Sequence, residues 1–159
     1  MKRHVLLALA CLGCSPALAQ TGAGMVDGDW IGKGAFQLGP TVLACSEIRM
    51  KFVGTSSLYG VRDGSIVCES LKRDFPMNDD FAVKPDNEVY YKNQKVGRIT
   101  GDRLVVLVPG PDDVGTEFTL RREGDLLYYN EVARKPGQPP MFGMVAILQK
   151  DSSAAAGKP

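Results

Sequence analysis

Gly28-Asp29-Trp30-Ile31-Gly32-Lys33-Gly34 decides the fold of this 159-residue chain. The stretch holds the only tryptophan, and from Trp30 onward glycine alternates with larger residues. In an extended strand successive side chains point to opposite faces, so Trp30, Gly32, Gly34 and Phe36 share one face while Ile31, Lys33 and Ala35 take the other. This alternation predicts the first strand of an antiparallel barrel, over about residues 29–37. Leu38-Gly39-Pro40-Thr41 ends it, because proline cannot donate to the ladder.

The cleanest half-buried strand follows at residues 44–53, where Ile48, Met50 and Phe52 alternate with Glu47, Arg49 and Lys51. Beyond the turn at Gly54-Thr55-Ser56-Ser57 the two cysteines outside the N-terminal leader, Cys45 and Cys68, choose the register. In a simple three-strand meander they would lie two strand spacings apart, about 9–10 Å, beyond the roughly 7 Å Cα limit of a disulfide. If residues 44–53 pair directly with about 60–70, centred on Ser56-Ser57, Cys45 falls opposite Cys68, and Asp63-Gly64 becomes a bulge within the strand. A structural bridge is preferred to a redox or metal role, since no Cys-x-x-Cys spacing occurs.

Further along, residues 72–80 read as a polar crossover around Pro76 and Asn78-Asp79-Asp80, and 81–83 as a short strand. Strands are expected at 88–91, 95–99, 104–108, 116–121, 126–133 and 142–149, joined by turn-formers such as Asp86-Asn87, Asn93-Gln94 and Glu123-Gly124-Asp125. No helix-period segment of useful length occurs. The fold class is therefore all-β: a single antiparallel meander barrel of about ten strands with one disulfide. Closure removes the two edges that an open sheet of this size would expose.

The chain ends bound the compartment. Lys2, Arg3 and His4 precede an apolar run over residues 5–12, and Ala17-Leu18-Ala19 supplies the small residues of a cleavage site. This is the pattern of a secretory signal over residues 1–19, cleaved after Ala19 and too short to span a bilayer. A bacterial periplasm or the exterior is the expected destination. Lipoprotein processing at Cys11 or Cys14 is the weaker match. Residues 20–26 read as a flexible lead-in, 27–150 as the barrel domain, and 151–159 as a disordered tail. Cleavage removes two cysteines and the only histidine and takes the formal charge from +1 to −1. A near-neutral balance with interspersed signs leaves no basic stripe for nucleic acid.

At Gly28-x-Trp30 the chain resembles the opening of calycins, the superfamily of lipocalins, fatty-acid-binding proteins and avidins. With Gly32 and Gly34 the stretch is similar to the Gly-x-Trp-x-Gly-x-Gly start of nitrobindin-like barrels. The resemblance implies a meander barrel whose tryptophan plugs one end. It does not carry over haem binding, which in nitrobindin-like proteins uses a histidine that the mature chain lacks. The lipocalin Thr-Asp-Tyr motif is also absent.

Chemistry-bearing residues are sparse. Without histidine the commonest acid–base group and metal ligand is missing, and no Gly-x-Ser-x-Gly elbow occurs. Asp79-Asp80, and Asp112-Asp113 with Glu117, lack the ligand spacing of a calcium loop and read as solvated loop acids. No enzyme activity, cofactor or metal is expected. Glu131 shares a face with Leu127 and Tyr129. Facing inward it would need a partner such as Arg49, Arg98 or Arg121 and could anchor a ligand. Facing outward, the preferred placement, it is an ordinary exposed acid.

The expected function is that of an exported, non-enzymatic binding protein carrying a small apolar ligand in the barrel lumen. Trp30, Phe36, Ile48, Met50, Phe52, Phe81, Phe118 and, if inward, Glu131 are the candidate lining. The alternative is a cell-envelope interaction module, an inhibitor or assembly factor with a filled barrel. Its homodimer or partner surface would use Val105, Leu107, Phe142 and Met144, from two strands that are apolar on both faces.

Overall fold

Apolar residues at every second position wind the chain into ten antiparallel strands that close on themselves. The structure, a computed structural model, describes residues 22–153. The strands are β1 (Gly28–Leu38), β2 (Thr41–Gly54), β3 (Leu58–Cys68), β4 (Leu71–Val83), β5 (Glu88–Tyr91), β6 (Gln94–Thr100), β7 (Arg103–Pro109), β8 (Gly115–Glu123), β9 (Leu126–Arg134) and β10 (Phe142–Lys150). Each pairs with the next, and β10 returns to β1 through a register running from Trp30↔Lys150 to Leu38↔Phe142. The inward faces supply one continuous core that includes Ile48, Met50, Ile66, Leu104, Leu120 and Leu148.

Closure is tightest at the glycines of β1. A Cβ added at Gly32 would stand 2.9 Å from the Leu148 Cα and overlap the Ile147 carbonyl oxygen. At Gly34 it would stand 2.9 Å from the Ala146 Cα and overlap the Val145 carbonyl oxygen. The alternating glycines therefore serve close approach of the β10 backbone.

Cys45 and Cys68 are paired across β2 and β3 and bridged, with the sulfurs 1.97 Å apart. Two compensating bulges produce this register. Cys45↔Cys68 is followed by Glu47↔Val67, so Ser46 is extra on β2, and Lys51↔Asp63 is followed by Phe52↔Val61, so Arg62 is extra on β3. The bulge expected at Asp63-Gly64 thus sits one residue earlier. By loop entropy the bridge contributes about 3 kcal/mol.

Three expectations are corrected. Residues 72–80 are not a crossover but the greater part of β4. Phe75, Met77, Asp79, Phe81 and Val83 share the inward side through this stretch, and Pro76 is tolerated because it faces Asp63 beside the register shift between Val61 and Asp63, where the β3–β4 ladder is already interrupted. The lead-in is not loose over its described part. Gly22–Val26 form a 3-10 turn in which Ala23, Met25 and Val26 are buried. Apolar content decides this, since three adjacent hydrophobic side chains cover the floor of the barrel.

The third correction concerns the proposed partner surface. Leu107 is 55% exposed, but Met144 is buried and Phe142 packs against the core, edge-to-face with Phe36. The two-residue period puts Val145 and Ile147 outside instead, at 49% and 54% exposure. At the C-terminal end Asp151 is held by Arg49 at 2.8 Å, and its N–H donates to the Asp29 carbonyl. The signal segment 1–19 and the tail from residue 154 lie outside the described residues.

Candidate functional site

The two ends of the barrel differ, and the difference begins with Trp30. Its indole Nε1–H donates to the Val26 carbonyl at 2.7 Å, tying β1 to the 3-10 turn. Arg122 donates to the Met25 carbonyl at 3.0 Å and lays its guanidinium 5.9 Å from the indole centroid, while the Lys150 ammonium stands 4.7 Å from it. The turn touches β2, β3, β6 and β8, so it spans the floor. This end is closed by covalent neighbours of the first strand.

Away from the floor the interior opens into a recess of about 210 Å³. Its walls are Val61, Met77, Phe81, Val108 and Phe118 with the rings of Tyr91 and Tyr129, and its polar groups are Asp79, Glu131 and Thr116. It borders the weakest seam of the barrel. β4 and β5 pair only at Ala82↔Tyr90 and Val83↔Val89, so beyond these the two strands part beside Met77 and Asp79. The Tyr91 hydroxyl crosses that gap and donates to Asp79 Oδ1 at 3.1 Å.

Glu131 faces inward, against the preferred reading, and its partner is not an arginine. The Tyr129 hydroxyl donates to Glu131 Oε2 at 2.6 Å. Burial pushes the Glu131 carboxyl up, and the Tyr129 hydrogen bond offsets only part of the shift. Burial, followed by the Glu131 charge, pushes both the Tyr129 and the Tyr59 phenols well above their usual range. Tyr59 is fully buried, and its hydroxyl has no hydrogen-bond partner among the described residues. Its ring packs 5.4 Å from Phe81 and 6.1 Å from Phe118.

This arrangement predicts a pH-dependent gain of stability in Glu131→Gln. The fold favours the neutral carboxyl, so the contribution of Glu131 is fully present below its ordinary pKa and lost as pH rises through the raised one. Glutamine cannot ionise and still accepts the Tyr129 hydrogen bond. Urea unfolding should therefore give near-equal midpoints at about pH 4 and a variant more stable by roughly 0.5–2 kcal/mol at about pH 8. An equal offset at both values would show that the Glu131 charge is not the cause. The groups facing it are Tyr129, Tyr59 and Asp79.

All eight candidate lining residues point into the barrel, but only three meet at the recess. Phe81, Phe118 and Glu131 line it, whereas Trp30, Phe36, Ile48, Met50 and Phe52 are packed core. Asp79, Tyr91, Tyr59 and Tyr129 were not among the candidates. Asp79 was hidden by the crossover reading of 72–80. The tyrosines could have been found by noting that Tyr129 shares its face with Glu131.

A second, broader depression lies on the outer wall, where Ile31, Leu126, Tyr128, Val145 and Ile147 form an apolar surface edged by Lys33, Arg103 and Arg121. It follows the tight coil of β1 against β10 and encloses nothing. The internal recess is the better candidate for a small ligand because it combines enclosure with convergent polar groups. Among the described residues no cluster of three or more His, Cys, Asp or Glu side chains is placed to hold a metal ion.

No family model and no curated protein matches the chain. Among solved structures it is similar to the crystal structure of Rv2717c from M. tuberculosis, with 18% sequence identity, 79% of this chain and 92% of that chain covered, and a TM-score of 0.40.

Proposed function

We propose that this chain is an exported, non-enzymatic binding protein of the calycin type that takes a small, largely apolar molecule into the open half of its barrel. A closed barrel suits a binding or interaction role in general. The observation that favours an internal ligand is the aromatic-walled recess opposite a sealed floor. At about 210 Å³ it is smaller than the roughly 300–1,000 Å³ of drug-sized sites. An apolar cavity of about 150 Å³ already holds benzene, so one ring with a short substituent fits. The signal-like N-terminus and the disulfide support an oxidising, extracytoplasmic location.

Toluene or indole, titrated into the mature protein and followed by ligand-observed NMR, is expected to bind, and Val108→Trp, which fills the recess, is expected to abolish it. Binding that survives Val108→Trp, in a variant with wild-type circular dichroism, would place the ligand elsewhere. The outer apolar surface at Val145 and Ile147 favours a second reading, an interaction module of the cell envelope. Sedimentation velocity that shows only monomer at every concentration would count against self-association there.

A further inference from the structure

The recess is apolar in its walls but one-signed in its charge. Its titratable lining groups are Asp79, Glu131, Tyr91 and Tyr129, and no lysine or arginine lines it, the Lys92 ammonium standing 5.0 Å from the Tyr91 ring centroid. Neither carboxylate forms an ion pair among the described residues; each is held by one tyrosine hydroxyl, Glu131 by Tyr129 at 2.6 Å and Asp79 by Tyr91 at 3.1 Å. The preferred reading of an ordinary acid in solvent does not describe this geometry.

A separate observation points to a ligand. The Tyr59 hydroxyl is fully buried and unpartnered among the described residues, although buried polar groups are as a rule hydrogen-bonded. It stands behind the recess wall, with its ring on Phe81 and Phe118, and lies near enough to Glu131 and Asp79 for both charges to act on it. Two acceptors from two strands thus face the recess, Asp79 on β4 and Glu131 on β9, with the unpartnered Tyr59 hydroxyl of β3 behind its wall.

The class of occupant follows from charge and valence. A neutral hydrocarbon gains the burial of its apolar surface but returns no hydrogen bond to either acid. An anion would add a third negative charge. A protonated primary amine carries three N–H donors and no acceptor, which matches a lining whose polar groups are two carboxylates and hydroxyl oxygens. Aromatic faces add attraction for a cation, and the walls supply the rings of Phe81 and Phe118.

We propose that the recess is an organic-amine site, taking a single-ring primary amine with its ammonium toward Glu131 and Asp79 and its ring among Phe81, Phe118 and Tyr91. This deepens the reading of the barrel as a small-ligand carrier and rests on it. The amine enters beside Met77, where β4 and β5 part, and the Tyr91–Asp79 hydrogen bond yields to the incoming ammonium.

Three probes of one shape test it by isothermal titration of the mature, disulfide-bonded protein: 2-phenylethylamine, 2-phenylethanol and 3-phenylpropionate. The amine is expected to bind roughly tenfold or more tighter than the alcohol, as a charge-assisted hydrogen bond adds, and the acid to show no binding. Glu131→Gln and Asp79→Asn should each reduce the preference for amine over alcohol by roughly fivefold to tenfold. Alcohol binding as tightly as amine in the wild-type protein would overturn the amine assignment and leave the apolar carrier standing. Failure of all three probes, together with toluene and indole, would overturn both. The wild-type series decides the question even if a variant does not fold.

Discussion

Gly34→Ala is expected to be severely destabilising, although it adds a single methyl group. The added Cβ would overlap the Val145 carbonyl oxygen and stand 2.9 Å from both the Ala146 Cα and the Ile48 Cδ1. Two of those three neighbours are backbone of the strand that closes the barrel, Gly34↔Ala146 being one rung of the β1–β10 ladder. Overpacking against mobile side chains costs about 1–3 kcal/mol, because rotamers shift to absorb it. Here the ladder itself must move, at a cost of at least about 4 kcal/mol, most of the stability of a domain at the lower end of the usual range of roughly 5–15 kcal/mol. Gly39→Ala is the control. Gly39 has a φ of +55° but open space around its Cα, so alanine there adds only the left-handed backbone penalty of about 1–2 kcal/mol. Soluble yield and thermal unfolding by circular dichroism should separate the two. A folded Gly34→Ala protein with a melting point near that of Gly39→Ala would refute tight closure at this rung.

The contrast between these glycines also shows how far the fold was legible in the sequence. Alternation placed Trp30, Gly32, Gly34 and Phe36 on one face, and the structure has them facing inward together. The cysteine spacing selected the Cys45↔Cys68 register, which a hairpin pattern alone could not. Both signals are local, with a period of two or a distance limit between two named atoms. What stayed hidden depends on contacts between distant segments. Pro76 and the acids after it have low strand propensity, and the register shift beside Asp63 in the β3–β4 ladder is what makes a continuous β4 acceptable. Glu131 shows the same limit in the site. Alternation put it on the face of Leu127 and Tyr129, yet an uncompensated acid argued for the outside, because its neutral, tyrosine-bound form is visible only once β9 is folded. Asp79 lies about fifty residues upstream of Glu131, and no periodicity links them.

Trp30→Ala is expected to cost about 3–5 kcal/mol, the range for deleting a large buried aromatic side chain. The site explains why the upper part of that range applies. The indole is 1% exposed and fills the floor above Met25 and Val26, so its loss leaves a hole bounded by the 3-10 turn on one side and the core on the other. It also leaves the Val26 carbonyl without its 2.7 Å donor, and removes the aromatic face that Arg122 and Lys150 approach. Trp30→Phe divides these contributions. It keeps a ring in the floor but not the N–H, so it should recover more than half of the loss, leaving about 1–2 kcal/mol for the orphaned carbonyl and the smaller ring. Urea unfolding followed by far-ultraviolet circular dichroism gives both values, since the variants contain no tryptophan to report by fluorescence. The recess lies away from this floor and shares no lining residue with it. Toluene affinity in the folded Trp30→Phe protein should therefore stay within about twofold of wild type, because distant sites act independently when no contact joins them. A large fall in toluene affinity would mean that Trp30 is part of the binding cavity rather than its plug, and that the two ends of the barrel form a single lumen.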